Sequence, residues 1–326
     1  MSVYDTKILK RYRWIDIAKG IGVFLVVLSH MPSVPWIVRG WIESFHMPLF
    51  FFISGYVFTD KGESILEFAK RRLRTLIIPF LIYSILFLVT DILMGVKSLT
   101  LISSEIYKIL IGIGTVDILW FFVALYFAEL LFFVIKRICK KSSYLTVSSL
   151  MCFGIGWILA QFLPGEIPFK IPTTIIAISY YGVGYICKDM QLLIWNWKKM
   201  VIFCVISIGS SMFGVIRYGF VLNMYYGIYS NPILVLIASI SGIIFLLLFC
   251  QSIESWLICR PLAYIGKNTL YFYPLMGYLP GLVVKICENI GICQGELVKI
   301  ISKVLALLGC VLIVEIKKIY VKKYKQ

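Results

Sequence analysis

Two histidines, His30 and His46, are the only ones among the 326 residues of this chain, and both lie near its N-terminus. An imidazole titrates near neutral pH, so it can take a proton from a hydroxyl or attack an activated carbonyl carbon. Asp16, Lys19 and Glu43 lie in the same two strongly apolar segments. Ionisable groups are costly inside such segments when they span a membrane, so this concentration indicates a functional site.

Helical geometry predicts that three of these residues share one stripe. In a helix over residues 13–30, Lys19 and His30 lie about 20° apart around the axis, and Asp16 lies about 40° from His30 on the other side. The step from Lys19 to His30 is a rise of about 16 Å, so the two residues are expected in opposite halves of the helix.

A structural explanation competes with the functional one. His46 alone can be a packing residue that makes a hydrogen bond, and Asp16 with Lys19 can be an i,i+3 ion pair that lowers the cost of insertion. Three ionisable groups on one stripe, with both histidines nearby, favour the functional explanation. Glu43, one turn before His46 in a continuous helix, is positioned to orient that imidazole.

The composition predicts an all-α, polytopic membrane protein. Hydrophobic residues make up 60% of the chain, aromatic residues 16%, and the mean hydropathy is +0.93, which a soluble core cannot accommodate. We expect one integral-membrane domain over residues 1–326, with about ten helices that cross the bilayer. The predicted spans are roughly 13–30, 41–58, 75–95, 116–135, 144–163, 171–187, 200–216, 233–250, 264–284 and 297–316.

The net charge of +16 does not indicate a nucleic-acid partner, because the basic residues occur in short blocks between the apolar runs. With the N-terminus in the cytoplasm, most Lys and Arg residues fall on the cytoplasmic side, as the positive-inside rule requires. Both termini are therefore predicted to be cytoplasmic. The basic blocks lie at 7–13, 70–74, 136–141, 198–199 and 317–325.

Several short strings invite comparison with known families. The first block reads Asp16-x-x-Lys19-Gly20, then Ser29-His30, then Phe45-His46-Met47-Pro48, and then Ser54-Gly55-Tyr56. This block closely resembles the acyltransferase 3 family of integral-membrane O-acyltransferases, and Lys19 with His30 matches that family's Arg/Lys-x10-His motif. Later segments follow the family's order, at 70–74, 78–80, 119–122 and 265–271.

The resemblance implies a helical membrane enzyme that moves an acyl group, usually acetyl from acetyl-CoA, onto a hydroxyl of a glycan or a similar acceptor. One position departs from the family's pattern. Members often carry a histidine a few residues after the Gly-x-Asn-Ser/Thr-Leu segment, and Met276 stands there in this chain. This chain then does without that histidine or has a different acceptor geometry.

His30 is the predicted catalytic residue, as the base that deprotonates the acceptor hydroxyl or as the nucleophile that first takes the acyl group. Asp16 and Lys19 are predicted to tune or orient it, or to hold polar groups of the donor. The predicted substrate-binding residues are His46, Glu43, Trp120 and Asn268, although packing also accounts for Trp120. No metal is expected.

Coenzyme A carries several phosphates, and the cytoplasmic cluster Arg71, Arg72 and Arg74 can bind them through charge-assisted hydrogen bonds. The positive-inside rule explains the same cluster without a ligand, so both explanations stay open. If the donor is cytoplasmic and His30 lies near the outer face, the polar stripe can line a channel for the acyl-pantetheine arm.

The sequence therefore predicts a multi-pass O-acetyltransferase of a bacterial cytoplasmic membrane, with acetyl-CoA as donor. The expected acceptor is a cell-surface polysaccharide or its lipid-linked sugar precursor, membrane lipid surrounds the protein, and a homo-oligomer is compatible with the sequence. A transporter or flippase for a glycan or small solute is the main alternative, because a polar stripe also serves transport. A non-catalytic scaffold is the third.

Overall fold

The computed structural model describes residues 12–31, 33–163, 167–291 and 295–323. The described residues are mostly helical, with a single short hairpin of strands β1 (Leu222–Asn223) and β2 (Ile228–Tyr229), which pair antiparallel. A π-helix over Leu73–Ile77 and four 3₁₀ turns join some of the helices. The α-helices in this part of the chain are α1 (Arg13–Ser29), α2 (Trp36–Glu43), α3 (His46–Tyr56), α4 (Ile65–Arg72), α5 (Ile78–Leu93), α6 (Ile102–Leu110), α7 (Trp120–Ile138), α8 (Ser142–Phe162), α9 (Ile171–Asp189), α10 (Trp197–Tyr218), α11 (Pro232–Ser252), α12 (Arg260–Lys267), α13 (Thr269–Asn289) and α14 (Glu296–Lys323).

Seven helical stretches within the described ranges are long and apolar enough to cross a membrane. The all-α, multi-pass class is therefore confirmed, whereas the count of ten spans and the cytoplasmic placement of the termini stay predictions. The seven stretches are Ile65–Leu93, Asp117–Ile138, Ser142–Phe162, Trp197–Tyr218, Pro232–Ser252, Thr269–Asn289 and Leu297–Ile319.

The other three predicted spans correspond to α1, α3 and α9, which form the interior of the bundle. Most residues of α3 and α9 are buried, and the large side chains of Tyr180 and Tyr181 on α9 are fully enclosed. The outer helices α10 and α14 instead present many apolar side chains on their surfaces. A helix that is surrounded by protein finds polar partners there, so it does not need the apolar surface that lipid demands.

The prediction of one continuous helix over 41–58 is wrong, because the chain breaks between α2 and α3. Phe45 leaves the helical region, with φ −138° and ψ −15°. The physical reason is Pro48, which has no N–H to donate to the Ser44 carbonyl and whose ring would clash with it in a continuous helix. Glu43 and His46 thus lie on either side of a break.

The broken segment is held in place by α10. Trp41 on α2 donates from Nε1 to the Ser207 hydroxyl at 3.0 Å, and Ser211 donates to the Ser44 hydroxyl at 3.0 Å. Ser207 and Ser211 are themselves buried, so these hydrogen bonds are shielded from competing water. The short helix α2 is therefore a fixed part of the bundle.

Helix α1, which carries His30, crosses α12 at two glycines. A Cβ atom at Gly20 would overlap the backbone carbonyl of Leu262, and a Cβ atom at Gly266 would overlap that of Asp16. The two backbones can approach this closely because neither helix has a side chain at the crossing. The crossing fixes the N-terminal half of α1.

Helix α3, which carries His46, crosses α9 in the same reciprocal way. A Cβ at Gly55 would overlap the carbonyl of Tyr181, and a Cβ at Gly184 would overlap that of Phe52. Each helix again supplies one glycine, so the position of α3 depends on two residues that are far apart in the sequence.

Replacing Gly184 by Ala is expected to lower the free energy of unfolding by about 1–3 kcal/mol, because the new methyl group meets a backbone carbonyl that cannot rotate away. Gly209→Ala on α10 is the matched control, since a Cβ there meets nothing within 4 Å. Thermal unfolding of the purified protein in detergent measures both. Equal melting temperatures for the two variants would contradict the close crossing of α3 and α9.

Candidate functional site

His30 follows the last residue of α1, and its ring is oriented by the helix itself. The Nδ1 atom lies 2.8 Å from the carbonyl oxygen of Val26, four residues earlier. A carbonyl oxygen only accepts hydrogen bonds, so Nδ1 carries the proton and the neutral ring keeps its lone pair on Nε2. The side chain is exposed at the end of the helix. His30 is therefore accessible and in the tautomer that a base needs.

His46 repeats this arrangement at the start of α3. Its Nδ1 atom lies 3.0 Å from the carbonyl oxygen of Ile42, which is again four residues earlier. The neutral ring therefore also keeps its lone pair on Nε2. Unlike His30, His46 is buried, with 7% of its surface exposed.

Both imidazoles and Glu43 lie within electrostatic range of one another in the structure. His30 interacts electrostatically with Glu43 and with His46, although Glu43 and His46 belong to different helices. We call the group of His30, Glu43 and His46 the histidine site. Its members come from the ends of α1, α2 and α3, where the chain turns at one end of the bundle.

Asp16 and Lys19 lie elsewhere on α1. Asp16 is buried near the crossing with α12, Lys19 is partly buried, and about 16 Å of helix rise separates Lys19 from His30. The structure thus keeps the predicted stripe on one helix but does not gather its three residues in one place. The roles of Asp16 and Lys19 towards His30 or the donor stay predictions.

The two other predicted substrate-binding residues, Trp120 and Asn268, each have a local structural explanation. Trp120 begins α7, is 3% exposed and packs against the ring of Phe51. Asn268 lies between α12 and α13, and its side-chain amide donates to the carbonyl of Tyr264 at 2.8 Å. Packing accounts for Trp120 and a local hydrogen bond for Asn268, so a role in substrate binding stays a prediction for both.

The opposite end of α3 leads into a turn over 57–64 that is surrounded by cations. Lys188 donates to the carbonyl of Phe58 at 3.1 Å, Arg137 donates to that of Glu63, and Lys136 lies 3.9 Å from Asp60. We call this region, defined by the turn and the cations around it, the basic end. It includes the arginine cluster that the sequence analysis assigns to coenzyme A.

Two of the three clustered arginines are engaged by carboxylates. Arg71 donates to both carboxylate oxygens of Glu63, at 2.6 and 3.1 Å, and these hydrogen bonds hold the pKa of Glu63 below its usual range. Arg72 makes a two-pronged ion pair with Glu129 of α7, which is completely buried. Arg74 is exposed on the π-helix. A phosphate at this cluster would therefore compete with carboxylates for Arg71 and Arg72.

A second buried ionic cluster was not anticipated from the sequence. Lys97 lies 2.6 Å from Glu105 and 3.4 Å from Asp91, and Tyr278 donates to Asp91 at 2.7 Å. Glu105 also pairs with Lys108 at 3.1 Å, and this i,i+3 spacing is the one signal of the cluster that a sequence shows. Lys97 thus ties the loop after α5 to α6, and Asp91 ties α5 itself to α13.

Arg39 on α2 is a further residue, to which the sequence analysis assigns no role. Its Nη2 atom donates to the carbonyl of Met31 at 3.0 Å, and it interacts electrostatically with Glu43 one turn later. The i,i+4 spacing of Arg39 and Glu43 was the available signal. Nowhere in the described ranges do three His, Cys, Asp or Glu side chains form a group that could hold a metal ion.

Removing the carboxylate of Glu129 is expected to cost about 3–5 kcal/mol of unfolding free energy, because Glu129→Ala leaves Arg72 partly buried without its counter-charge. Glu63→Ala frees the more exposed Arg71 and should cost less than about 1 kcal/mol. Equilibrium unfolding in mixed micelles compares the two variants. A small loss for both would show that Arg72 and Glu129 do not form a shielded pair.

Comparison with known proteins places these features in a family. A family model described as an acyltransferase domain matches residues 12–276, which include both histidines, the arginine cluster and the glycines of both crossings. No curated protein and no solved structure gives a significant match. The family match covers well over half of the chain, and the fold is that of a multi-pass membrane protein. The chain belongs to the acyltransferase 3 family.

Proposed function

We propose that this membrane acyltransferase is an O-acetyltransferase that moves acetyl from acetyl-CoA to a hydroxyl of a cell-surface polysaccharide or its lipid-linked precursor. The observation that carries the proposal is the histidine site, in which two imidazoles keep their lone pairs on Nε2 next to Glu43. Such a group suits the removal of a proton from an acceptor hydroxyl at neutral pH.

His30 is the catalytic base in this proposal, because it is exposed and can be reached by an acceptor, whereas His46 is buried. The acceptor oxygen attacks the thioester carbonyl carbon while its proton passes to Nε2 of His30. The carbon–sulfur bond then breaks, and the thiolate of coenzyme A takes that proton from the imidazolium. Attack by His30 itself, with an acetyl-imidazole intermediate, is the alternative that the same geometry allows.

We infer a path for acetyl-CoA from the positions of the basic end and the histidine site. Coenzyme A would bind at the basic end, where Arg74 is exposed, and its acyl-pantetheine arm would run along α1 past Asp16 and Lys19 towards His30. His46 and Glu43 would contact the acceptor or assist the base. The protein would lie in a bacterial cytoplasmic membrane with the histidine site facing outwards, so that transfer crosses the bilayer.

The transporter alternative is not favoured by any particular feature of the structure. Buried ionisable groups do occur outside the first two predicted spans, as Glu129 and Asp91 show. Both of these are in ion pairs, with Arg72 and Lys97 respectively, and therefore have a structural explanation. His30, in contrast, is exposed and suited to proton transfer.

His30→Gln is expected to lower acetylation by at least about 100-fold, because an amide cannot accept the hydroxyl proton. A strain without the gene is complemented with wild type, His30→Gln or Gly209→Ala at equal expression. Mass spectrometry of its surface glycans then measures acetyl groups. Gly209→Ala serves as the control because it alters an open surface of α10.

The outcomes separate the alternatives. Acetyl groups that return with wild type and Gly209→Ala but not with His30→Gln support the enzyme and its base. Equal recovery with all three variants removes His30 from the chemistry. If no surface glycan changes its acyl content when the gene is lost, acetylation of a surface glycan is wrong and transport becomes the leading alternative.

A further inference from the structure

The side chain of Arg39 has a buried N–H donor, Nε, that has no hydrogen-bond partner. Among the buried side-chain polar atoms of the described residues that lack a hydrogen-bond partner, Nε of Arg39 is the one that belongs to a charged group, and the others are hydroxyl oxygens. A charged donor without an acceptor costs more free energy than an unmet hydroxyl. Such a group calls for an explanation, and a ligand that binds during function is one of the few available.

Two arginines at the basic end show how the chain pairs a guanidinium whose role is structural. Arg71 and Arg72 each place two donors on a carboxylate. Arg39 instead makes one hydrogen bond, to the carbonyl of Met31, and forms no ion pair within 4.0 Å of Glu43 although the two are one turn apart. Its remaining donors are therefore available to a ligand.

The position of Arg39 links it to the histidine site. Met31, whose carbonyl it binds, directly follows His30, and Glu43 interacts electrostatically with both Arg39 and His30. Helix α2 is rigid at this point, because Gly40 packs directly against the side chain of Val215 on α10. Arg39 is therefore tied to the residue next to His30, and Glu43 lies within electrostatic range of both, on a helix that is fixed against α10.

We propose that Arg39 is a catalytic residue whose N–H groups bind the acyl carbonyl oxygen and stabilise the oxyanion that forms there. This proposal rests on the acyl-transfer function proposed above. A preorganised cationic donor at the developing charge is worth far more in a water-poor site than in bulk water. Glu43 balances the charge of the guanidinium in the resting protein, which lowers the cost of keeping it partly buried.

The proposed transfer balances in electrons and protons without any further reactant. As the acceptor oxygen bonds to the carbonyl carbon, the π pair moves onto the carbonyl oxygen beside Arg39, and the hydroxyl proton passes to His30. When this electron pair returns to re-form the carbonyl π bond, the carbon–sulfur bond breaks, and the leaving thiolate takes the proton from His30. Arg39 keeps all its protons throughout, because it acts only as a hydrogen-bond donor.

A purely structural role makes a different prediction. If Arg39 only pins α2 to the end of α1 through Met31, its loss should lower stability and disturb binding and turnover together. An oxyanion donor instead contributes only in the transition state, so its loss lowers kcat while KM for acetyl-CoA stays nearly constant. A small guanidinium ion added to the solution can fill the space left by an alanine and restore part of the rate.

The test uses membranes from the strain without the gene, which contain the natural acceptor, with the full-length protein expressed as wild type, Arg39→Ala, Arg39→Lys or Arg217→Ala. Arg217 is an exposed arginine in the last turn of α10 and is the matched control. Transfer of label from [14C]acetyl-CoA gives kcat and KM, with and without guanidinium chloride below denaturing concentrations. Thermal unfolding checks that each variant is folded.

We expect Arg39→Ala to lower kcat by about 100- to 1000-fold with KM for acetyl-CoA changed by less than about threefold. Guanidinium should restore part of the rate of this variant alone, and Arg217→Ala should match wild type. Arg39→Lys should lie between, because lysine keeps the charge but not the planar array of donors. If Arg39→Ala does not fold, Arg39→Lys tests the proposal in its place.

The proposal is overturned if folded Arg39→Ala keeps kcat within about fivefold of wild type, or if its defect is a higher KM without rescue. If Arg39→Ala does not fold, wild-type kcat in folded Arg39→Lys has the same meaning. Failure of the proposed function gives a different result, because wild type itself then transfers no label above membranes that lack the protein.

Discussion

Close contact between helix backbones is the constraint on which the site depends. The two helices that carry the histidines are each fixed by a reciprocal pair of glycines, α1 against α12 and α3 against α9. A membrane offers little hydrophobic force to press helices together, so dispersion contacts at short range have to supply it. Because a gap of about 1 Å already forfeits a quarter to a half of this attraction, each crossing limits how far its helix can move.

The same packing explains where polar groups are tolerated. Interior helices α1, α3 and α9 carry polar and charged groups that would be costly against lipid. On α9, two of these groups bond to other elements, Tyr180 to the Ser239 hydroxyl of α11 and Thr173 to the Tyr229 hydroxyl of β2. The outer helices are more uniformly apolar. Two of the interior helices, α1 with 17 residues and α3 with 11, are also shorter than each of the seven long apolar stretches. Hydropathy alone therefore does not separate interior helices from outer ones, since the apolar stretches Asp117–Ile138 and Pro232–Ser252 are themselves mostly buried.

The proximity of His30, Glu43 and His46 could be predicted because all three lie near chain turns in the first 46 residues. The break before α3 also had a signal in the sequence, because Pro48 has no N–H to donate to the carbonyl of Ser44. The long apolar run nevertheless favoured the prediction of one continuous helix. The pair of Arg72 with Glu129 joins residues 57 positions apart, and neither has a local pattern that selects the other. Long-range ionic partners of this kind follow from packing, which a single sequence does not reveal.

The structural ionic groups also differ from the proposed functional ones in how completely they are paired. Glu129, Asp91 and Glu105 are buried, and each meets a cation or a hydroxyl within hydrogen-bonding distance. At the histidine site, by contrast, each imidazole donates to a backbone carbonyl four residues earlier, and Nε of Arg39 has no hydrogen-bond partner. Folding alone would favour pairing these groups as well. Their incomplete pairing, on a scaffold rigid enough to prevent collapse, is therefore what we expect of groups that complete their hydrogen bonds with a substrate.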